Sequence, residues 1–94
     1  MLSQIPLDLS RTKKEDIKRE ILRAGIIAEL DAINLYEQMA ALTTNENIRK
    51  VLLDIAKEEK THVGEFLALL IKEDKEQEGE LEEGRKELKE ITGE

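Results

Sequence analysis

Apolar residues recur at three- and four-residue intervals in two long stretches of this chain, the period of an α-helix buried on one face. The first stretch reads Leu22, Ile26, Glu29, Ala32, Ile33, Tyr36, Ala40, and the second Leu52, Ile55, Glu59, His62, Phe66, Leu70. Thr43-Thr44-Asn45-Glu46 lies between them in capping-box form, the Thr hydroxyl and the Glu carboxylate each able to satisfy a free backbone N–H. Thr12-Lys13-Lys14-Glu15 gives the same signal ahead of the first stretch. The pattern predicts one helix from about Lys13 to Leu42 and another from the second signal to about Glu73. A link of a few residues makes them antiparallel neighbours, each roughly 45 Å long at 1.5 Å per residue.

Outside that hairpin the signals are weaker. Residues 1–11 hold the only proline, Pro6, and read as an extended arm. Gly79 and Gly84 break up the tail, where Leu81, Leu88 and Ile91 leave a thin apolar edge, enough for a short helix. The all-α chain thus divides into an arm (1–11), a two-helix hairpin (12–75) and an acidic tail with a short C-terminal helix (76–94). Two helices cannot cover their own apolar faces. Ile27, Leu30, Leu35 and Leu42 point well away from Glu29, and Leu53 and Ile71 from Glu59, so each helix has a second surface to hide. A third helix could cover these surfaces; the expectation is instead a homodimer forming a four-helix bundle, with further subunit contacts beyond it.

Ninety-four residues make one small domain whose lone core gives limited stability. Without cysteine there is no disulfide, no iron–sulfur ligation and no thiolate zinc site. No hydrophobic run has membrane-spanning length and none resembles a signal peptide, so a soluble, cytoplasmic chain without a membrane partner is expected. The formal charge of −7 is uneven: residues 73–94 hold ten acids and four bases. An acidic chain with two aromatic residues is a poor partner for nucleic acid. Such a field attracts cations.

Both stripes carry groups that are expensive to bury: Glu29 in the first, Glu59 and the only histidine, His62, in the second. Glu-x-x-His alone is a weak signal. Glutamate fills 17 of the 94 positions, so a lone histidine meets one three places upstream roughly once in five. Position in the stripe adds the weight. Leu52, Ile55, Ala56, Val63, Phe66 and Leu70 fall within about 60° of Glu59, and Leu22, Ile26, Ala32, Ile33, Tyr36 and Ala40 do so around Glu29. Glu37, Glu58 and Glu65 point farther aside and read as solvated.

Two readings of the intruding charges stand side by side. In one, His62 is a core histidine bonded to Glu29 or Glu59, with no metal. In the other, Glu29 plus Glu59-x-x-His62 is half of the di-metal carboxylate set that helix bundles build, and a twofold-related copy supplies the rest. Four carboxylates in one apolar space stay ionised together only if cations neutralise them. Mixed oxygen and nitrogen ligands suit iron, manganese or zinc, and the spacing does not choose among them. Zinc, manganese or calcium can substitute there or fill secondary sites.

Tyr36 lies one heptad after Glu29 and Phe66 one heptad after Glu59, so both aromatics project toward the same place. For Phe66 the reading is core packing. For Tyr36 core packing stands beside a second reading: a buried phenol wants a hydrogen-bond partner, and a metal-bound carboxylate would be one, so Tyr36 is read as orienting a ligand. Asp31 lies about 160° from Glu29 around the helix, too far to share its ion; it is either a feeder site on another surface or simply solvated.

With Glu29…Tyr36, Glu59-x-x-His62 and a short-linked hairpin, residues 12–90 resemble the encapsulated ferritins, two-helix ferritin-like proteins housed in encapsulin nanocompartments. The resemblance implies a ferritin-like four-helix bundle made by two chains, with Glu29, Glu59 and His62 as ligands of a di-iron ferroxidase site and Tyr36 behind them. It further implies a decameric ring of dimers, an encapsulin shell protein as partner, and Asp31 as one acid on the iron uptake path. The chain departs from bacterial members at Ala28, where they carry another acid, and at Leu35, where they tend to have an aromatic. The familiar cargo peptide is not apparent in Lys89-Glu90-Ile91-Thr92-Gly93-Glu94, and some archaeal relatives carry this segment fused ahead of the shell protein. Free cargo and a domain of such a fusion are both open.

The expected function is therefore oxidation of Fe(II) to Fe(III) at an inter-subunit site, with O₂ or peroxide as oxidant, feeding iron storage in a surrounding compartment. A metal-stabilised helical oligomerisation module without turnover uses the same ligands and is the alternative. A purely helical interaction domain leaves Glu29 and His62 unexplained. A rubrerythrin-like peroxidase with its site in one chain needs two Glu-x-x-His motifs, and this chain has one.

Overall fold

Residue numbers run in opposite directions along two helices packed side by side: Gly25 meets Phe66, Glu29 meets His62, and Ala40 lies beside Arg49. These helices are α1 (Ile17–Leu42) and α2 (Glu46–Glu73), and a third, α3, runs over Lys75–Thr92. The computed structural model describes Asp8, Ser10 and residues 13–94, apart from the side chain of Glu15. Among the described residues there is no strand, and no helix is long and apolar enough to cross a membrane. The arm expected over 1–11, except Asp8 and Ser10, lies outside the described residues, as do Thr12 and the Glu15 side chain, the two partners of the expected capping box. A 3₁₀ turn over Lys14–Asp16 leads into α1, so the α-helix proper starts at Ile17 rather than near Lys13.

Asn45, not Thr43, caps α2. Its side-chain oxygen accepts from the Ile48 N–H at 3.0 Å, while Thr43 Oγ1 accepts from the Asn45 N–H at 3.1 Å. Both residue types suit a cap, but Thr43 is still occupied in ending α1, where its N–H bonds the Met39 carbonyl. Arg49 then closes the turn. It donates from Nε to the Ala40 carbonyl (3.2 Å), from Nη2 to the Thr43 carbonyl (2.6 Å) and from Nη1 to Glu46 Oε2 (2.8 Å). Two carbonyls at the C-terminal end of α1 are thereby satisfied.

The hairpin core is thin. Leu22, Ala24, Ile33 and Ala40 from α1 and Ala56 and Leu70 from α2 are buried, all but Ala24 belonging to the two apolar stripes. Ala40 and Ala56 are each 2% exposed, and a side chain no larger than a methyl group at these buried positions allows the helices to lie close. Ile27, Leu30, Leu42 and Leu53, expected to face away from the stripe, are exposed.

The third helix is not short. It runs 18 residues without a break through Gly79 and Gly84, although a helical glycine costs roughly 1 kcal/mol relative to alanine. Its ends explain this. Asp74 caps the start, its Oδ1 accepting from the Gln77 N–H at 3.1 Å, and Gly93 at φ 81° lets its N–H bond the Lys89 carbonyl. Ion pairs one turn apart, Lys75–Glu78 and Glu82–Arg85, add support along the exposed flank. The start of α3 is anchored to the hairpin: Arg23 Nη2 donates to Asp74 Oδ2 at 3.0 Å and Arg19 Nε to the Glu73 carbonyl at 3.1 Å. Beyond that junction Leu88 and Ile91 are exposed. Overall extents of 46 × 43 × 19 Å fit a hairpin with a helix projecting from one end.

Candidate metal centre

Halfway along the hairpin, α1 presents Glu29 and α2 presents Glu59 and His62 on one side. Spacing of three residues puts Glu59 and His62 on one turn of α2, and the antiparallel register brings Glu29 opposite. His62 Nδ1 lies 3.2 Å from Glu29 Oε2 and 3.4 Å from Glu59 Oε2. One ligand atom from each of the three residues lies within 4.8 Å of the others. With its proton on Nδ1 the imidazole donates to Glu29 and also faces Glu59.

Burial is graded. The carboxylate side chains are 20% and 18% exposed, whereas the imidazole is 46% exposed, so the cluster opens through the histidine side. An open groove of about 310 Å³ lies there, lined by Glu29, His62, Glu65, Phe66 and Leu69. Glu65, read from the sequence as an ordinary solvated residue, belongs to that lining; helical angle alone does not say how wide a groove opens between two helices. Ligand atoms bound about 2.0–2.2 Å from one ion are at most roughly 4.4 Å apart. Shifts of tenths of an ångström would therefore let the three side chains reach a shared ion, and two carboxylates with one imidazole suit iron, manganese or zinc.

The remaining candidates fall differently. Phe66 packs its ring against Gly25 of α1, as expected of a core aromatic. Tyr36 is half-buried, and among the described residues no hydrogen bond to its hydroxyl is made within the chain. Asp31 is half-buried on α1 and is not one of the three clustered residues. Glu37, beside Tyr36, takes an ion pair from Lys60 across the hairpin at 3.2 Å.

Three positions that hold the frame lie outside the residues that the apolar stripes single out. Arg49 and Arg23 look like any helix-surface arginine until their partners are known. Asp74 followed three residues later by Gln77 is a capping pattern that reading for Thr-led signals passed over. Its carboxyl is held below the usual carboxylate range, chiefly by the backbone hydrogen bond from Gln77, against the opposing effect of burial; the Arg23 hydrogen bond and the charges of Arg19 and Arg23 lower it further.

Comparison with known proteins agrees with the resemblance carried by Glu29, Tyr36 and Glu59-x-x-His62. The family model described as rubrerythrin matches residues 20–92. The chain is 59% identical, over 99% of its length, to a ferritin-like–encapsulin shell fusion protein of Pyrococcus furiosus, and 37% identical over 76% of its length to an encapsulin nanocompartment cargo protein of Myxococcus xanthus. It spans 28% of the first and 55% of the second. The crystal structure of the encapsulated ferritin domain from P. furiosus superposes with a TM-score of 0.86 at 54% identity, covering 100% of this chain and 98% of that one.

Proposed function

The chain belongs to the rubrerythrin family of ferritin-like domains, and on that footing we propose that it is a ferroxidase which oxidises Fe(II) at a site shared by two copies. The observation that carries the proposal is the convergence of Glu29, Glu59 and His62 within 4.8 Å on a face that one chain leaves half open. Three ligands are too few for two irons. A twofold-related copy adds three more, giving the four carboxylates and two imidazoles that ferritin-type bundles use. Tyr36 is assigned to orienting a ligand carboxylate once the second copy is in place, and Asp31 to the acidic uptake path.

Surface area supports the pairing. The chain exposes 7330 Å², against roughly 5,500 Å² for a compact monomer of this mass. The excess, roughly 1,800 Å² per chain, is about twice the ~800 Å² that each partner buries in a standard interface, so a decameric ring of such dimers would hide the second apolar surface as well.

Fe(II) is the substrate. Each of two ions loses one electron, and O₂ takes both with two protons to leave as hydrogen peroxide; with peroxide as oxidant the product is water. The carboxylates favour the higher charge of Fe(III), and the apolar walls strengthen that preference. A two-helix hairpin has no cavity for a mineral, so storage falls to a surrounding compartment. Relatives named as an encapsulin fusion and an encapsulin cargo support an encapsulin shell as that compartment, in the cytoplasm.

Anaerobic loading with Fe(II) followed by rapid mixing with O₂ tests this directly. Catalytic ferric absorbance with matching oxygen uptake is expected. Binding without turnover would leave the metal-stabilised oligomerisation module instead. A crystal grown with Fe(II) should give two anomalous peaks at the iron edge on a subunit twofold.

A further inference from the structure

Gly25 and Phe66 sit one turn from the ligands, on the same side of them: Gly25 four residues before Glu29 on α1, Phe66 four residues after His62 on α2. A Cβ built on Gly25 would lie 3.1 Å from Phe66 Cζ and 3.2 Å from both Cε atoms. The ring thus rests on the bare backbone of α1, at a separation tighter than most contacts a Cβ makes. Gly64, Gly79 and Gly84, the other glycines inside helices, meet nothing within 4 Å. Phe66 also lines the groove that opens beside Glu29 and His62.

From this we infer that Gly25 and Phe66 are a positioning pair, setting the α1–α2 separation at the level where Glu29 must reach the ion held by Glu59 and His62. The inference rests on the ferroxidase reading. Helices are stiff over one turn, so a displacement at Gly25 is passed to Glu29 almost undiminished. Metal–ligand bonds tolerate about 0.2 Å, and an added methyl group requires Phe66 or α1 to yield by a few tenths of an ångström. Neither Gly25 nor Phe66 donates an electron pair to the metal; both act through Glu29.

Co(II), which binds like Fe(II) but is not oxidised by air on mixing, is the probe. In the intact protein, Gly25→Ala is expected to weaken Co(II) binding by about 10-fold or more, the scale of losses when groups supporting a ligand are changed, and to alter the Co(II) ligand-field spectrum. Helix content should hold, since alanine favours the helix. Adding Phe66→Leu to Gly25→Ala makes room for the new methyl group and is expected to recover affinity and spectrum toward wild type. Wild-type affinity and spectrum in Gly25→Ala overturn the inference while leaving the ferroxidase reading intact. So does a defect that Phe66→Leu fails to relieve, because the fault then lies outside this contact. A wild-type protein that takes up neither Co(II) nor Fe(II) overturns both.

Discussion

His62 Nδ1 lies 3.2 Å from Glu29 Oε2, joining residues 33 positions apart in sequence across the two antiparallel helices. Glu59 approaches the same nitrogen from one turn away at 3.4 Å. An imidazole between two partly buried carboxylates is an arrangement that could hold a cation: the negative charges are gathered, the walls are apolar, and one side is open.

Replacing a ligand should therefore abolish function without unfolding the protein. Glu29→Ala and His62→Ala are each expected to slow Fe(II) oxidation by on the order of 100-fold or more, the scale for a lost or misplaced reacting group. Far-ultraviolet circular dichroism should remain helical, because the stripes keep their apolar residues. Rapid-mixing kinetics decide the matter, and undiminished oxidation in either variant removes the assignment.

Asp74 predicts an acid-dependent loosening of α3. Its folded carboxyl titrates below the ordinary value, so its stabilising effect is complete above that ordinary value and disappears as pH falls through the depressed one. Hydrogen exchange at Gln77 and Glu78 should accelerate over that acid window and not at neutral pH. Asp74→Asn, which still offers a capping oxygen, should flatten the dependence; an unchanged acid profile in that variant would assign the effect to another group.

The turn between α1 and α2 should be sensitive to its two polar anchors. Asn45→Ala is expected to cost about 1 kcal/mol through the lost cap. Arg49→Ala should cost about 1.5–3 kcal/mol by removing a charged donor from two carbonyls and a carboxylate, with Arg49→Lys intermediate because an ammonium lacks the planar fork. Denaturant unfolding at fixed protein concentration measures both, since assembly contributes to apparent stability.

Glycines in α3 offer the opposite sign. Gly79→Ala and Gly84→Ala meet open space and should each strengthen the helix by roughly 0.5–1 kcal/mol. Gly93→Ala should weaken it, because a φ of 81° is strained for any residue with a Cβ. Helix content and thermal midpoints report the ranking; a loss of stability in the first two would mean that α3 packs closely against something at those positions.

Much of this molecule is readable from spacing. The hairpin follows from two apolar stripes and a short polar link, and Glu29, Glu59 and His62 stand out because a helix period places them among residues that seek burial. The long α3 was hidden by Gly79 and Gly84, whose intrinsic cost is outweighed by the Asp74 and Gly93 caps at its ends. The Asn45 cap was hidden by the Thr residues before it, one of which is spent on ending α1.

Sequence alone determined the angular position of each side chain around its own helix, because 3.6 residues per turn is a local property of the backbone. Axial offset and separation between the helices are not local. They came from the turn clamped by Arg49, the close approach allowed by Ala40 and Ala56, and the ring of Phe66 seated on Gly25. Tertiary structure alone decided that Glu29 reaches His62, and that Arg23 finds Asp74 from 51 residues away, since contacts between distant segments depend on how whole surfaces fit together.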